Sequence, residues 1–378
     1  MPDLEPMQTV SKRHGQPRTC SWGGQGASPY NGRMREIYDA VLVLSFGGPE
    51  QTDDVIPFLE NVLRGKNVPR ERMLEVAEHY YHFGGRSPIN DQNRELIAAL
   101  RSELEHKGPS LPVYWGNRNW HPFLTETLHE MRKAGIKRAL AFVTSAFSSY
   151  SGCRQYLEDI EKARTEVGEG APIIEKLRGF FNHPGFVSTM VERVQNALER
   201  FPEDRRQRAS LLFTAHSIPT SMASGSPYVA QLEEACSLVA AGVGHEQWTL
   251  AYQSRSGPPT QPWLEPDVLD VLRDLGLKSC NDVVIVPIGF ISDHMEVLYD
   301  LDTEAVEVAA NLNINIVRAA TAGAHPRFVE MIRELIVERV DATLPIAIGA
   351  LPPPPTFCAP DCCPAPRRPT SGSPRASL

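Results

Sequence analysis

Apolar positions along this chain recur in one order: a short aliphatic run, a Gly-rich or polar turn, then a stretch with apolar residues every three or four positions. Residues 40–44, 113–116, 139–143, 173–177, 210–214, 248–252, 283–286 and 314–318 read as strands. They are too short for helices and nearly continuous in aliphatic residues, as strands covered on both faces are. Between them, Val55, Phe58, Leu59, Val62 and Leu63 share one helical face, as do Phe186, Met190, Val191, Val194 and Leu198 later. Strand–helix alternation at this spacing predicts an α/β fold with parallel sheets, and ligand groups on the loops at the carboxyl ends of strands. The order starts over at residue 173. Residues 36–172 and 173–322 are therefore expected to form two similar α/β domains facing one cleft, followed by an amphipathic helix within 323–341. No sequence repeat between the halves is apparent.

The ends differ from this pattern. Residues 1–35 are polar, punctuated by Gly and Pro and without period, which predicts a disordered tail with Met34 as the true or effective start. Residues 342–378 form a second tail, and 351–378 hold nine prolines, a composition that cannot build a core. Yet Phe357-Cys358-Ala359-Pro360-Asp361-Cys362-Cys363 lies inside it. Seven cysteines, sparse and odd in number, fit a reducing cytosol better than a disulfide scaffold, and the N-terminus has no apolar leader. A cytoplasmic location is expected. A net charge of -8 and a pI near 5.8 argue against a nucleic-acid partner, and no apolar run approaches a membrane span. Oligomeric state is not legible in the sequence.

The chemistry concentrates in 283–304. A buried β-branched run ends at Pro287 and Gly289, and the period turns helical after Ser292-Asp293-His294-Met295. Glu296, Asp300 and Glu304 then fall at i, i+4 and i+8, one row on one helix face. Like charges in a row destabilise a helix unless a cation sits beside them; alone, such a row reads as a solvated face. His216 also follows a strand at its carboxyl end, so His216 and Glu296 share one rim and can face each other across a pocket. A path of hard oxygens ending at a nitrogen base suits transit of Fe²⁺, Co²⁺ or Zn²⁺. The chain has no HExxH, no GxSxG and no plausible Cys–His nucleophile pair. The loop Ser45-Phe46-Gly47-Gly48 lacks a phosphate-binding signature but would let a flat ligand approach backbone closely.

LFTAHSIP, AYQSRSGPPTQPWLEPD and PIGFISDHMEVLYDLD together resemble the ferrochelatases, which insert ferrous iron into a porphyrin, over about 36–340. LSFGGPE, YWGNRNWHP and SSYSGCRQY are similar to the actinobacterial-type enzymes, whose usual product is iron coproporphyrin III. The resemblance implies two Rossmann-like, chelatase-type domains with parallel four-stranded sheets facing a central cleft, the last helix returning to the first domain. It implies porphyrin and ferrous iron as partners, His216 beside the porphyrin nitrogens and Glu296 opposite it, with Asp293, His294, Asp300 and Glu304 in support. Phe46 stands where some relatives carry a tyrosine or methionine near the iron, and Phe cannot ligate a metal. Arg86, Arg118, Arg154 and Arg255 are candidate propionate partners at loop positions, with Ser45, Ser148 and Tyr150 adding contacts. Cys153 with Cys358, Cys362 and Cys363 makes four thiolates, the number that holds a [2Fe–2S] cluster, as in several relatives; zinc is the alternative metal. Protoporphyrin IX is the alternative substrate. A non-catalytic porphyrin or haem carrier and a chelatase for sirohydrochlorin or a cobalt corrinoid precursor are the competing functions.

Overall fold

The computed structural model describes residues 37–66, 68–257 and 260–365. The expectations for 1–35, including Met34 and Cys20, and for 366–378 lie outside the described residues.

Among the described residues, eight strands form two parallel sheets. β1 (Ala40–Ser45), β2 (Val113–Asn117), β3 (Arg138–Val143) and β4 (Ile173–Lys176) lie in the order β2-β1-β3-β4. β5 (Ser210–His216), β6 (Trp248–Gln253), β7 (Asp282–Val286) and β8 (Asn315–Arg318) repeat that order as β6-β5-β7-β8. The alternation of each strand assigns its faces. Val41, Val43, Leu140 and Phe142 point to one side of the first sheet, and Leu42, Leu44, Ala139 and Ala141 to the other.

One expected boundary is corrected. The strand at 173 closes the first sheet, pairing Arg138 with Ile173 and Ala139 with Ile174, and does not open the second. The helix Gln155–Val167 returns the chain by a crossover to the neighbouring edge, the usual closure of a parallel βαβ unit.

The helices that follow β4 and β8 are exchanged between the halves. Helix Pro184–Leu198, after the first sheet, packs on β7, β8 and helix Tyr228–Val243 of the second. Helix Pro326–Val340, after the second sheet, packs on helix Ile89–Lys107 of the first, with Phe328 edge-on to Phe142 of β3 at 6.2 Å. The two exchanged helices also pack on each other, so one hydrophobic core runs from sheet to sheet. Both start the same way, as His183-Pro184-Gly185-Phe186-Val187 and His325-Pro326-Arg327-Phe328-Val329. Each histidine caps its helix, Nδ1 accepting from the backbone N–H two residues on, and proline fills the first helical position. Each also faces a glutamate on the other helix: His183 Nε2 is 3.6 Å from Glu334 and His325 Nε2 is 3.1 Å from Glu192. This five-residue repeat is the internal symmetry that the apolar pattern alone did not disclose.

The second tail is proline-rich yet strapped to the body by backbone hydrogen bonds. Arg178, in a buried bidentate pair with Glu338, also donates to Ile346 O. Ile348 N–H donates to Asn182 O, Asn182 Nδ2 donates to Leu351 O, and Leu351 N–H donates to Glu234. Among the described residues no helix is long and apolar enough to cross a membrane.

Candidate active site

The carboxyl ends of β1, β2, β3, β5 and β7 open on a cleft of about 1380 Å³, walled on one side by helices Val55–Leu63 and Arg70–His82. The second of these helices gives a weak sequence signal: its charged face is broad, and only Met73, Ala77 and Tyr80 are buried, at i, i+4 and i+7. His216, the last residue of β5, and Glu296, at the start of helix Met295–Tyr299, both line the cleft. His216 Nε2 stands 3.6 Å from Glu296 Oε2, and His294 Nδ1 stands 3.9 Å from the same oxygen.

Local packing places these groups. A Cβ on Gly289 would sit 2.7 Å from Ala215 Cα, so only glycine lets the loop after β7 pass this close to β5. Tyr228 donates to the carbonyl of His216 at 3.0 Å and fixes the end of the strand. His216 Nδ1 is 2.5 Å from Ser217 O. A carbonyl oxygen only accepts, so Nδ1 carries the hydrogen and a neutral ring presents a bare Nε2 lone pair to the cleft. Burial pushes the His294 pKa down and favours the neutral form of that ring.

The acid row is present in altered form. Helix Met295–Tyr299 gives way to a π-turn, Asp300–Glu304, before helix Ala305–Asn311 resumes. The straight α-helical row expected at i, i+4 and i+8 is therefore broken by one wide turn, a device that proteins tend to keep at functional sites. Asp300 accepts from Ser254 Oγ at 2.5 Å and Gln253 Nε2 at 3.2 Å. Burial pushes its pKa up to about 7, against the pull of Ser254 and with added repulsion from Glu296 and Glu304. Burial also raises Glu304. Asp293 is gripped by Arg318, which binds Asp302 with its other edge. Gln253, Ser254 and Arg318 were not singled out from sequence, because their roles depend on contacts between separate loops.

Of the expected substrate contacts, Phe46 and Arg118 line the cleft. Phe46 stands edge-on to Phe58 at 6.2 Å. Arg118 is paired with Asp159 at 2.5 Å and lies over the Tyr156 ring. Ser45, Arg86, Ser148, Tyr150 and Arg255 are not on the cleft wall, and nearby partners account for each. Ser45 is fully buried against Thr144. Arg86 forms an exposed pair with Asp91, and Ser148 N–H donates to Gln231. The Tyr150 hydroxyl donates to Glu158, and Arg255 donates to Gln261 O. Arg154 also turns from the cleft: it donates to Cys362 O and Ala359 O and so holds the tail.

The four cysteines do meet. Cys153, in the π-turn Tyr150–Arg154, has its sulfur 3.9 Å from that of Cys358, and Cys362 and Cys363 are 3.6 Å apart. Cys153 also contacts Cys363, and Cys358 contacts Cys362. Cys363 adopts a positive φ of 51°, a strained turn that brings two adjacent sulfurs to one side. Ser151 and Gly152, beside Cys153, line the cleft. Among the described residues no three His, Cys, Asp or Glu side chains are arranged as a finished site for a single ion. His216 and Glu296 form an open pair, and each of the four sulfurs has another close beside it.

Two α/β halves around a large cleft, with a histidine–carboxylate pair on its wall and the half-buried Asp300 close by, make an arrangement suited to an enzyme with a bulky ligand. Residues 38–340 match the ferrochelatase family model. The chain is 57% identical over 335 residues to a ferrochelatase of Rhodopirellula baltica, covering 88% of this chain and 95% of that one. It is 50% identical over 350 residues to a coproporphyrin III ferrochelatase of Nocardia farcinica (88% and 98% covered) and 52% identical over 351 residues to one of Frankia alni (89% of each). The chain belongs to the ferrochelatase family. It is a lyase of haem biosynthesis whose substrates are a porphyrin and ferrous iron.

Proposed function

We propose that this chain inserts Fe²⁺ into coproporphyrin III, giving coprohaem, in the cytoplasm. The observation that carries the choice of porphyrin is the supply of cations at the cleft: Arg64, Lys66, Arg72, Arg118 and Lys162 line it, against the acids Glu126, Asp159, Glu166 and Glu296. A tetracarboxylate draws on more of these cations than dicarboxylate protoporphyrin IX would. The names of the Nocardia and Frankia relatives support the same choice.

The chemistry follows from the pair at the centre. A planar porphyrin directs no lone pair outward. A cleft that bends the ring exposes its nitrogens, and binding energy from the periphery offsets the strain. Glu296 supplies a hard oxygen that replaces water on the incoming Fe²⁺, with Asp300 and Glu304 behind it. Iron at the ring acidifies the two pyrrole N–H groups; the bare Nε2 of His216 accepts one proton, and the second leaves to water in the cleft. Phe46, whose ring cannot ligate, contributes an apolar wall. Anaerobic insertion assays with coproporphyrin III and protoporphyrin IX side by side test the substrate: coproporphyrin is expected to be preferred, and a preference for protoporphyrin would overturn the assignment. His216→Ala is expected to lower turnover by at least about 10²-fold, and near wild-type turnover would remove His216 from the chemistry.

The four cysteines support a resident [2Fe–2S] cluster. Four sulfurs gathered in one ring of contacts are the number of thiolates that two irons of such a cluster take, and a tetrahedral zinc would use the same four. Arg154 and Lys176 stand beside the sulfurs and offset the negative charge such a cluster carries. When bound, the cluster supplies a one-electron centre and a covalent tie between tail and body. The visible spectrum of the purified protein separates the two metals: thiolate-to-iron bands are expected, and a colourless zinc protein would overturn the cluster.

A further inference from the structure

We infer that Met295, Tyr299 and their partners across the cleft are positioning residues that couple occupancy of the cleft to the placement of Glu296. The inference rests on the metal-insertion reading and deepens it. Glu296 belongs to the second half of the chain, yet the residues around it are held by the first. Met295 is buried in the apolar cluster of helices Val55–Leu63 and Arg70–His82, against Phe58, Met73, Ala77 and Tyr80. Three residues past Glu296, Tyr299 stacks on His79 of the same hairpin, centroids 3.7 Å apart and planes within 7°. Three residues before it, the Asp293 N–H donates to Gln92 Oε1 at 2.8 Å, on helix Ile89–Lys107.

The hairpin that grips Met295 is also a wall of the cleft. Phe58, Met73 and Tyr80 line the cleft and enclose Met295 at the same time, and Phe58 meets Phe46 edge-on. A flat macrocycle seated on Phe46 therefore presses on the side chains that hold Met295. Arg318 anchors the acid segment from its own half through Asp293 and Asp302, so the segment has a fixed side and a side that reports on the cleft. A shift of about 1 Å at a reacting group can cost on the order of 10²-fold in rate, so small hairpin movements are enough to matter.

The test compares wild type with Met295→Ala, Met295→Leu and His79→Ala. It measures kcat and KM for Fe²⁺ in steady-state insertion, and porphyrin affinity by fluorescence titration without metal. Met295→Ala is expected to lower kcat for insertion about tenfold with porphyrin affinity within about twofold, and Met295→Leu to restore at least half of the lost rate. His79→Ala, which leaves the apolar cluster intact, is expected to show the same split at about threefold. Equal kcat in wild type, Met295→Ala and His79→Ala overturns the coupling, as does a parallel fall of kcat and porphyrin affinity with helix content. A wild-type chain that inserts no metal overturns the metal-insertion reading itself, whereas an active wild type matched by both variants overturns only the coupling.

Discussion

His183 is fully buried at the crossing of the two exchanged helices, and burial, reinforced by Arg178 and Arg327, pushes its pKa down to about 3. A histidine depressed in the folded state binds its proton only on unfolding. Stability is therefore lost as pH falls below about 6.5, the loss growing until the folded pKa is reached. At pH 5 this amounts to about 2 kcal/mol. His183→Asn keeps a cap for the Gly185 N–H and removes the titration, so its melting temperature is expected to fall less between pH 7 and pH 5 than that of wild type. Thermal unfolding at the two pH values checks it. His216 and Glu296 were legible in the sequence because one ends a strand run and the other lies in the segment that follows one, and the rim rule for parallel sheets does the rest. The tautomer of His216 was not legible: it is set by one carbonyl, Ser217 O, whose direction no pattern encodes.

Among the elements, the π-turn Asp300–Glu304 carries the greatest consequence. It turns Asp300 toward Ser254 and Gln253 and lets Asp302 reach Arg318. Deleting Thr303 removes the extra residue and lets the α-helix run through. Helical content is expected to be unchanged by circular dichroism, with KM for Fe²⁺ raised about tenfold as the acids lose register. The loop before helix Gln155–Val167, at the equivalent place in the first half, is also a π-turn, and it carries Cys153. Neither turn shows in the apolar periodicity, because one added residue shifts the helical phase by less than the spread of a normal apolar face. Helix Arg70–His82 escaped notice for a different reason: its buried positions are few, and a polar helix is recognised mainly by what it packs against.

On the scale of the whole molecule, the tail tests how the parts hold together. Cys153→Ser is expected to abolish the thiolate-to-iron bands and expose the chain after Phe357 to protease, while 342–351 stays protected by Arg178, Asn182 and Glu234. Limited proteolysis with mass spectrometry of the fragments checks this; early cleavage near 345 would show that the sulfurs hold the entire strap. The eight strands and their α/β class were legible from end to end. Their division into halves was misplaced by one strand, since β4 is short and half-polar and its partner is decided by the crossover rather than by composition.

The exchange of the two His-Pro helices also bears on synthesis. On a ribosome the first sheet emerges with one face covered by helices Leu124–Lys133 and Gln155–Val167 and the other only in part by Ile89–Lys107, so the surface around Phe142 and Phe180 awaits Phe328. At about 5–20 residues per second, the interval between Leu198 and Val340 leaves that surface open for roughly seven to thirty seconds. During that time it is a natural target for a chaperone. Neither half is finished until the other has been made, so the chain is two domains in architecture and one unit in birth.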